Sequence, residues 1–349
     1  MPSPSRLPAC LDAPALPPAP SGIRSTLPVW VLAAGLDGPD DLVFERGRIY
    51  VGELNSGRIA LVMPGAALSR LPQTVPKVEG LAWLGDTLFA ADQQNDRVDS
   101  ITVAGPVEAF VQLQPVAGND NVDGIASDGR LLIVPDAARG VVDWYDSGGR
   151  LVKQVGGFVR PAGAWALADG TVFIADEYGN SAVKLGADGT RTVLVQGLPI
   201  IDDVAVDPSG HIFVITPVVS GGRLAEVVGG FARDISGNLL QPQGLGFDGA
   251  GNILVAEASA GRVDVFIRNF KLVPVASAPQ PGQPVCVNIF RAPGFTGNVE
   301  LAGASGVTVV QQPGTGNQGE VLLGDGCGQA GCALSASSGS LSDSLWITR

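Results

Sequence analysis

Short apolar runs and Gly/Asp turns alternate along most of the chain in one pattern that recurs six times between Pro39 and about Phe270. Each copy has an apolar trio, a turn, a strand ending in an acidic or polar residue, a second turn and a further strand. The copies begin PDDLVFERGRIYVGEL, VEGLAWLGDTLFAAD, VDGIASDGRLLIVPD, PAGAWALADGTVFIAD, IDDVAVDPSGHIFVIT and PQGLGFDGAGNILVAE. Matching positions Leu42, Leu81, Ile125, Ala164, Val204 and Leu245 are 39, 44, 39, 40 and 41 residues apart. An all-β repeat with a period near forty predicts blades stacked around an axis, because one such unit cannot bury its own apolar faces.

Each unit is expected to carry four strands. In the first these are Asp41–Phe44, Arg48–Glu53, Gly57–Met63 and Leu68–Pro72; in the fifth, Val204–Val206, His211–Thr216, Arg223–Val228 and Phe231–Ile235. The segment VWVLAAGLDGPDDLV before the first unit matches TVLVQGLPIIDDVAV before the fifth. Val29–Ala34 therefore reads as an outermost strand without a blade of its own, expected to pair with the last unit and close the ring. Closure removes exposed sheet edges.

After Ala276 the pattern stops. SAPQPGQP is a proline-rich spacer. Six short apolar-alternating segments follow: Val285–Phe290, Asn298–Ala302, Val307–Gln311, Glu320–Leu323, Ala333–Ala336 and Ser344–Thr348. The expected fold is all-β, a six-bladed β-propeller followed by a small β-sandwich. The expected organisation is a Pro-rich tail over 1–25, disordered or wrapped on the surface, then a propeller over 26–276, a linker over 277–284 and a sandwich over 285–349.

Composition narrows the function classes. The net charge is −12 and charged residues make up only 16%. A nucleic acid would meet repulsion rather than counterion release, and an anionic membrane surface is disfavoured likewise. No apolar run is long enough for a spanning helix. The N-terminus lacks the apolar core of a signal peptide, so the chain either is not exported by that route or is a leader-free mature form. Cys10, Cys286, Cys327 and Cys332 all lie outside the repeats. A Cys327–Cys332 disulfide is expected, and with it an oxidising compartment, while the pairing of the remaining Cys10 and Cys286 is left open by the sequence.

The residue two places before each apolar trio faces the rim where the chain starts its innermost strand. In the six units it is Asp40, Glu79, Asp123, Ala162, Asp202 and Gln243. Asp41 and Asp203 add acids one step further in, where the other units have glycine. Carboxylates converging on one mouth repel unless a cation or protons compensate. An all-oxygen donor set suits calcium, and the expected ligands are Asp40, Glu79, Asp123 and Asp202. The other reading of these acids is structural, as turn formers that accept nearby backbone N–H groups. The second acidic series, Glu53, Asp92, Asp136, Asp176 and Glu257, is read as turn-ordering repeat grammar. Trp165 is a stacking candidate at the channel mouth or else core between blades. His211, the one histidine, is expected in an exposed turn on the opposite rim, so a Ser-His-Asp triad is not expected.

GLAWLGDTLFAADQQNDRV (80–98) and GLGFDGAGNILVAEASAGRV (244–263) resemble NHL repeats. That resemblance implies the propeller fold and, most often, an interaction platform. Glu79-Gly80-Leu81-Ala82-Trp83 resembles the Glu-Gly-Pro-x-Trp signature of gluconolactonase-like calcium-dependent propeller hydrolases, with Leu81 where proline belongs. That resemblance implies oxygen ligands on non-adjacent blades, at Asp40, Asp123 and Asp202, with Ala162 as the gap. APGFTGNVEL (292–301), followed by GVTV (306–309), resembles bacterial immunoglobulin-like modules and implies a secreted, periplasmic or cell-surface protein.

Three functions are consistent with this. The leading expectation is an exported, non-catalytic binding module that takes a protein or glycan partner on the acidic rim, with calcium there. The alternative is a calcium-dependent lactonase or esterase, with Asp202 or Asp203 as base or nucleophile. The third is a self-assembling subunit of an extracellular filament or surface layer.

Overall fold

The computed structural model describes residues 10, 16–102, 105–275, 282–328 and 331–348. Within them the chain is β throughout apart from two single-turn 3₁₀ segments, Gln93–Asn95 and Ala258–Ala260. No helix among the described residues is long and apolar enough to cross a membrane.

Six antiparallel sheets follow one another along the chain. Their innermost strands are β3 (Pro39–Glu45), β7 (Val78–Leu84), β11 (Ala126–Ser127), β15 (Pro161–Ala166), β19 (Asp203–Val206) and β23 (Pro242–Phe247). Each lies against the next, and β23 lies against β3, so the sheets close a ring. Three of the second strands, Leu132–Asp136, Val172–Asp176 and Ile253–Glu257, are buried at every position, and the others at every position but the first. That follows from their place, since a sheet packed on both faces leaves its central strands no solvent side, and they read as apolar runs rather than alternation. Between neighbouring sheets lie layers such as Tyr50, Ile59, Leu81 and Leu88. Each such side chain contributes about 1.5–3 kcal/mol by leaving water.

Closure works as the repeat pattern requires. Val29–Ala34 pairs antiparallel with Arg262–Phe266 and supplies the outer strand of the sixth sheet. One edge differs from expectation. The outer strand of the fifth sheet runs from Phe231 to Leu239, longer than the pattern indicates, because Arg24–Ser25 adds a fifth strand to it. Of the Pro-rich segment over 1–25, positions 1–9 and 11–15 lie outside the described residues. So do 276–281, most of the expected linker.

Phe270–Val273 lies beyond the last ring sheet and pairs with Pro284–Arg291. With Gln318–Leu323 and Val307–Gln311 these strands form one sheet; Glu300–Gly303, Cys332–Ser338 and Leu341–Ile347 form another. The two share a core that includes Phe270, Val287, Leu334 and Leu345. Both disulfides are present, Cys10–Cys286 and Cys327–Cys332. Such bonds persist in oxidising compartments. The first ties the N-terminal segment to Pro284–Arg291.

The C-terminal sheets are fixed to the ring by a buried charge. Lys271 Nζ lies 2.9 Å from Asp248 Oδ2 of the sixth ring sheet and 2.6 Å from Asp343 Oδ1. Asp343 Oδ2 accepts from Leu272 N at 2.7 Å. Ser342 N donates to Gly249 O, and Trp346 N to Pro64 O. Removing one member of such a buried set leaves the others uncompensated, at a cost of about 3–5 kcal/mol. We expect Lys271→Ala to lower the denaturation midpoint by a loss of that size. An unchanged urea midpoint would show that the contact is not stabilising.

Candidate functional site

The inner strands form the acidic mouth through a local irregularity. In β3, β7, β15 and β23 the pairing with the second strand breaks its register between Pro39 and Leu42, Val78 and Leu81, Pro161 and Ala164, and Pro242 and Gly244. Asp40, Glu79, Ala162 and Gln243 sit in these breaks. A bulge re-aims side chains and frees backbone groups, and the freed groups bond around the ring. Gly80 N donates to Asp123 O, Gly124 N to Ala162 O, and Gly163 N to Asp202 O, at 2.9–3.1 Å. The approach is too close for a side chain: a Cβ on Gly80 would lie 2.5 Å from Ile125 N.

Two units have aspartate instead of that glycine, and each uses it as a latch. Asp41 Oδ1 accepts from Leu42 N, and its Oδ2 accepts from Leu81 N of the next sheet at 2.8 Å. Asp203 does the same with Val204 N and, at 2.9 Å, Leu245 N. Both oxygens of Asp203 are thus engaged by backbone, which fits a structural role better than that of base or nucleophile.

The structure brings Asp40, Glu79, Asp123 and Asp202 together. Burial pushes Asp40, Glu79 and Asp202 well above the usual carboxylate range, and each is raised further by charges in the same group. For Asp202 burial comes first, then Asp123, Asp40, Glu177 and Asp203, all in the same direction. Asp40 and Glu79 are 4% and 7% exposed, and Asp40 Oδ2 and Glu79 Oε2 have no hydrogen-bond partner. Buried unpartnered carboxylate oxygens are costly.

Sequence reasoning missed two members of the cluster. Arg160 Nη1 lies 3.1 Å from Asp123 Oδ2 and also pairs with Glu177. Burial pushes Asp123 and Glu177 up, and Arg160 pulls both back. Arg160 is itself placed by Asp176, whose Oδ1 accepts from Val159 N and Arg160 N at 3.0 and 2.8 Å. The available signal was the gap itself: the one unit with alanine at the rim position carries arginine two residues earlier and a second acid after Asp176. The other acids of that second series hold turns as expected, with Asp92 accepting from Asn95 N and Glu257 from Leu240 N.

Among the described residues no three His, Cys, Asp or Glu side chains stand close enough together to hold a metal ion as they are. The donor chemistry nonetheless suits a hard cation. Gln243 hydrogen-bonds the Asp40 carboxyl, and the charges of Asp40, Glu79 and Asp202 act on one another; carboxylate oxygens are the donors a hard cation takes. Arg160 offsets the other half of the cluster. Trp165 stands away from this mouth. It lines the central cavity of 180 Å³ and meets Phe247 edge-on at 5.6 Å and 89°, packed between sheets. His211 lies on the opposite rim, with Nδ1 2.8 Å from Asp207 Oδ2.

No protein-family model matches the chain, and no curated protein matches it. Solved structures do. A gluconolactonase from Xanthomonas campestris aligns with a TM-score of 0.57 at 13% identity, over 72% of this chain and 97% of that one. A streptogramin B lyase aligns at 0.54 and 12%, over 71% and 98%. A virginiamycin B lyase from Staphylococcus aureus aligns at 0.54 and 12%, over 70% and 100%. At these identities the likeness shows the fold, a β-propeller.

The raised acids fix the sign of a pH effect. Asp41, for example, is pushed by burial from 3.8 up to about 7. Between those values the folded protein holds protons that the unfolded chain has released, so stability falls as pH rises. We expect the melting temperature in chelator to drop between about pH 4 and pH 7. Asp40→Asn should raise it at pH 7.5 by removing a carboxyl whose ionisation the fold disfavours. A flat profile with no gain in the variant would contradict this electrostatic reading.

Proposed function

We propose that this protein is a six-bladed β-propeller hydrolase of lactones or esters, with its site at the acidic mouth and calcium as its cation. The observation that carries the proposal is the buried, unpartnered pair Asp40 Oδ2 and Glu79 Oε2 inside a cluster of further acids. Such oxygens are costly in a purely structural turn and are accounted for if they serve a ligand. The likeness in fold to a gluconolactonase is consistent with this reading. The immunoglobulin-like β-sandwich over 285–349 and an extracytoplasmic location complete the proposal. The two disulfides support that location.

Asp40 and Glu79, with Asp202, Asp123 and the Gln243 carbonyl around them, would hold the cation. Bound there, calcium would supply Lewis-acid polarisation of a substrate carbonyl. Asp202 takes the proton of the attacking water as its oxygen bonds to the carbonyl carbon. It returns that proton to the leaving alkoxide when the carbon–oxygen bond breaks. Burial and the neighbouring acids favour the protonated form of Asp202, and a cation bound beside it would favour the carboxylate that takes the water proton. Arg160, fixed by Asp176, Asp123 and Glu177, carries positive charge on one side of the cluster, where it can offset charge developing on the substrate. Asp203 and Asp41 hold the inner strands in place.

A non-catalytic binding role for the same rim is favoured by one observation. Val159, Tyr178 and Val219 on that side of the ring are 64%, 59% and 69% exposed, apolar positions that a partner seated on this rim would cover. Turnover separates the two readings. With calcium, wild type should hydrolyse aryl esters or lactones, and Asp202→Asn should lose on the order of 10²–10⁴ in kcat while folding normally. Binding of calcium without any turnover would favour the binding role. Turnover unchanged in Asp202→Asn would remove the proposed base.

A further inference from the structure

At the end of the ring opposite the acids lies a second cavity, of 860 Å³, within the size range of small-molecule sites. Its apolar lining includes Phe44, Trp165, Leu167, Val206 and Phe247 from four ring sheets, and Leu341 from the C-terminal sheets. The walls are held in place. Trp165 and Phe247 brace each other edge to face, and Phe247 meets Phe213 in turn at 5.7 Å. The hairpin carrying Ser340 and Leu341 is tied to the ring by the Ser342 N to Gly249 O bond and by the Lys271 ion pairs. The docked C-terminal module therefore contributes part of the cavity's outer wall.

Its polar features restrict what it takes. At the edge, Arg268 lies over Phe213, with Cζ 4.9 Å from the ring centre, and donates to Asp207 Oδ2 at 2.8 Å. That pair cancels its own charge and offers little to a free anion. Inward, the cavity shares Leu42, Val43, Trp165 and Ala166 with the central cavity. Trp83 also lines the central cavity, and its indole N–H is buried without a partner. Beyond it stand Asp41 and Asp203, which disfavour a negative group at that depth. The surroundings suit a compact aromatic or alicyclic body with a single oxygen acceptor and no charge.

We propose that this composite cavity is a binding site for a neutral aromatic or alicyclic small molecule bearing one carbonyl or ether oxygen, and that the C-terminal module is there to build its outer wall. The site is separate from the acidic mouth and does not rest on the hydrolase reading.

The test uses the full-length protein and prodan, a neutral naphthyl ketone whose emission shifts blue in apolar surroundings. Wild type should bind it saturably, one per chain. Ser340→Trp, an exposed position that lines the cavity, should fill the space and weaken binding at least tenfold. Leu341→Arg should do the same, while Asp202→Asn at the other mouth should leave it unchanged. Retained circular dichroism and melting temperature of Ser340→Trp separate blocking from misfolding. If prodan does not bind saturably, or if binding survives Ser340→Trp or is lost equally in Asp202→Asn, the proposal is overturned.

Discussion

The structure depends on how closely its innermost strands approach one another. Gly80, Gly124 and Gly163 each give a backbone N–H to the carbonyl of the next strand's rim residue, at separations that leave no room for a side chain. Where a unit has aspartate instead, at Asp41 and Asp203, the carboxylate spans to the neighbouring strand's N–H and performs the same task. Ring closure is therefore built from backbone donors and two side-chain latches, with apolar layers between sheets supplying most of the stabilisation. The outer strand Val29–Ala34, contributed from before the first repeat, joins the two ends.

Side chains at the rim inherit their positions from that closure. Residues some forty apart in sequence are brought to one mouth, and four of the six are acids. Burial and mutual repulsion then act in the same direction on Asp40, Glu79 and Asp202. Arg160, the one guanidinium in the group among the described residues, is bonded to Asp123 and Glu177 and leaves the other half uncompensated. An arrangement of this kind costs stability, and that cost is the ground for the proposed ligand at the mouth. A similar economy holds at the Lys271 site, where one buried ammonium answers two carboxylates and docks the C-terminal sheets.

The repeat period, the strand rhythm and the closing strand were legible because they follow from burial patterns, which sequence records directly. The acidic rim was legible for the same reason, since equivalent positions in a ring must meet. What was not legible depends on local geometry. The roles of Asp202 and Asp203, adjacent in sequence, separate only once their partners are seen: both oxygens of Asp203 accept backbone N–H groups, while Asp202, just before the strand, is surrounded by the rim acids. Arg160 lies outside the repeat position that was read, and it matters because Ala162 leaves that position empty. Trp165, expected as a stacking surface at the acidic mouth or as core between sheets, sits further along the same strand, between the sheets. Phe270–Val273 is apolar enough to suit either neighbour; it pairs with Pro284–Arg291, with Lys271 between Asp248 and Asp343.

The central claim is electrostatic: several carboxyl groups at the mouth share an environment that holds their protons. Side-chain carbonyl ¹³C NMR of the intact protein, titrated with and without calcium, measures this directly. The claim predicts a small set of Asp and Glu signals titrating well above the ordinary range without the ion and moving down when it is added, with Asp202→Asn removing one of them. A spectrum in which every carboxyl titrates in the ordinary range, indifferent to calcium, would contradict it.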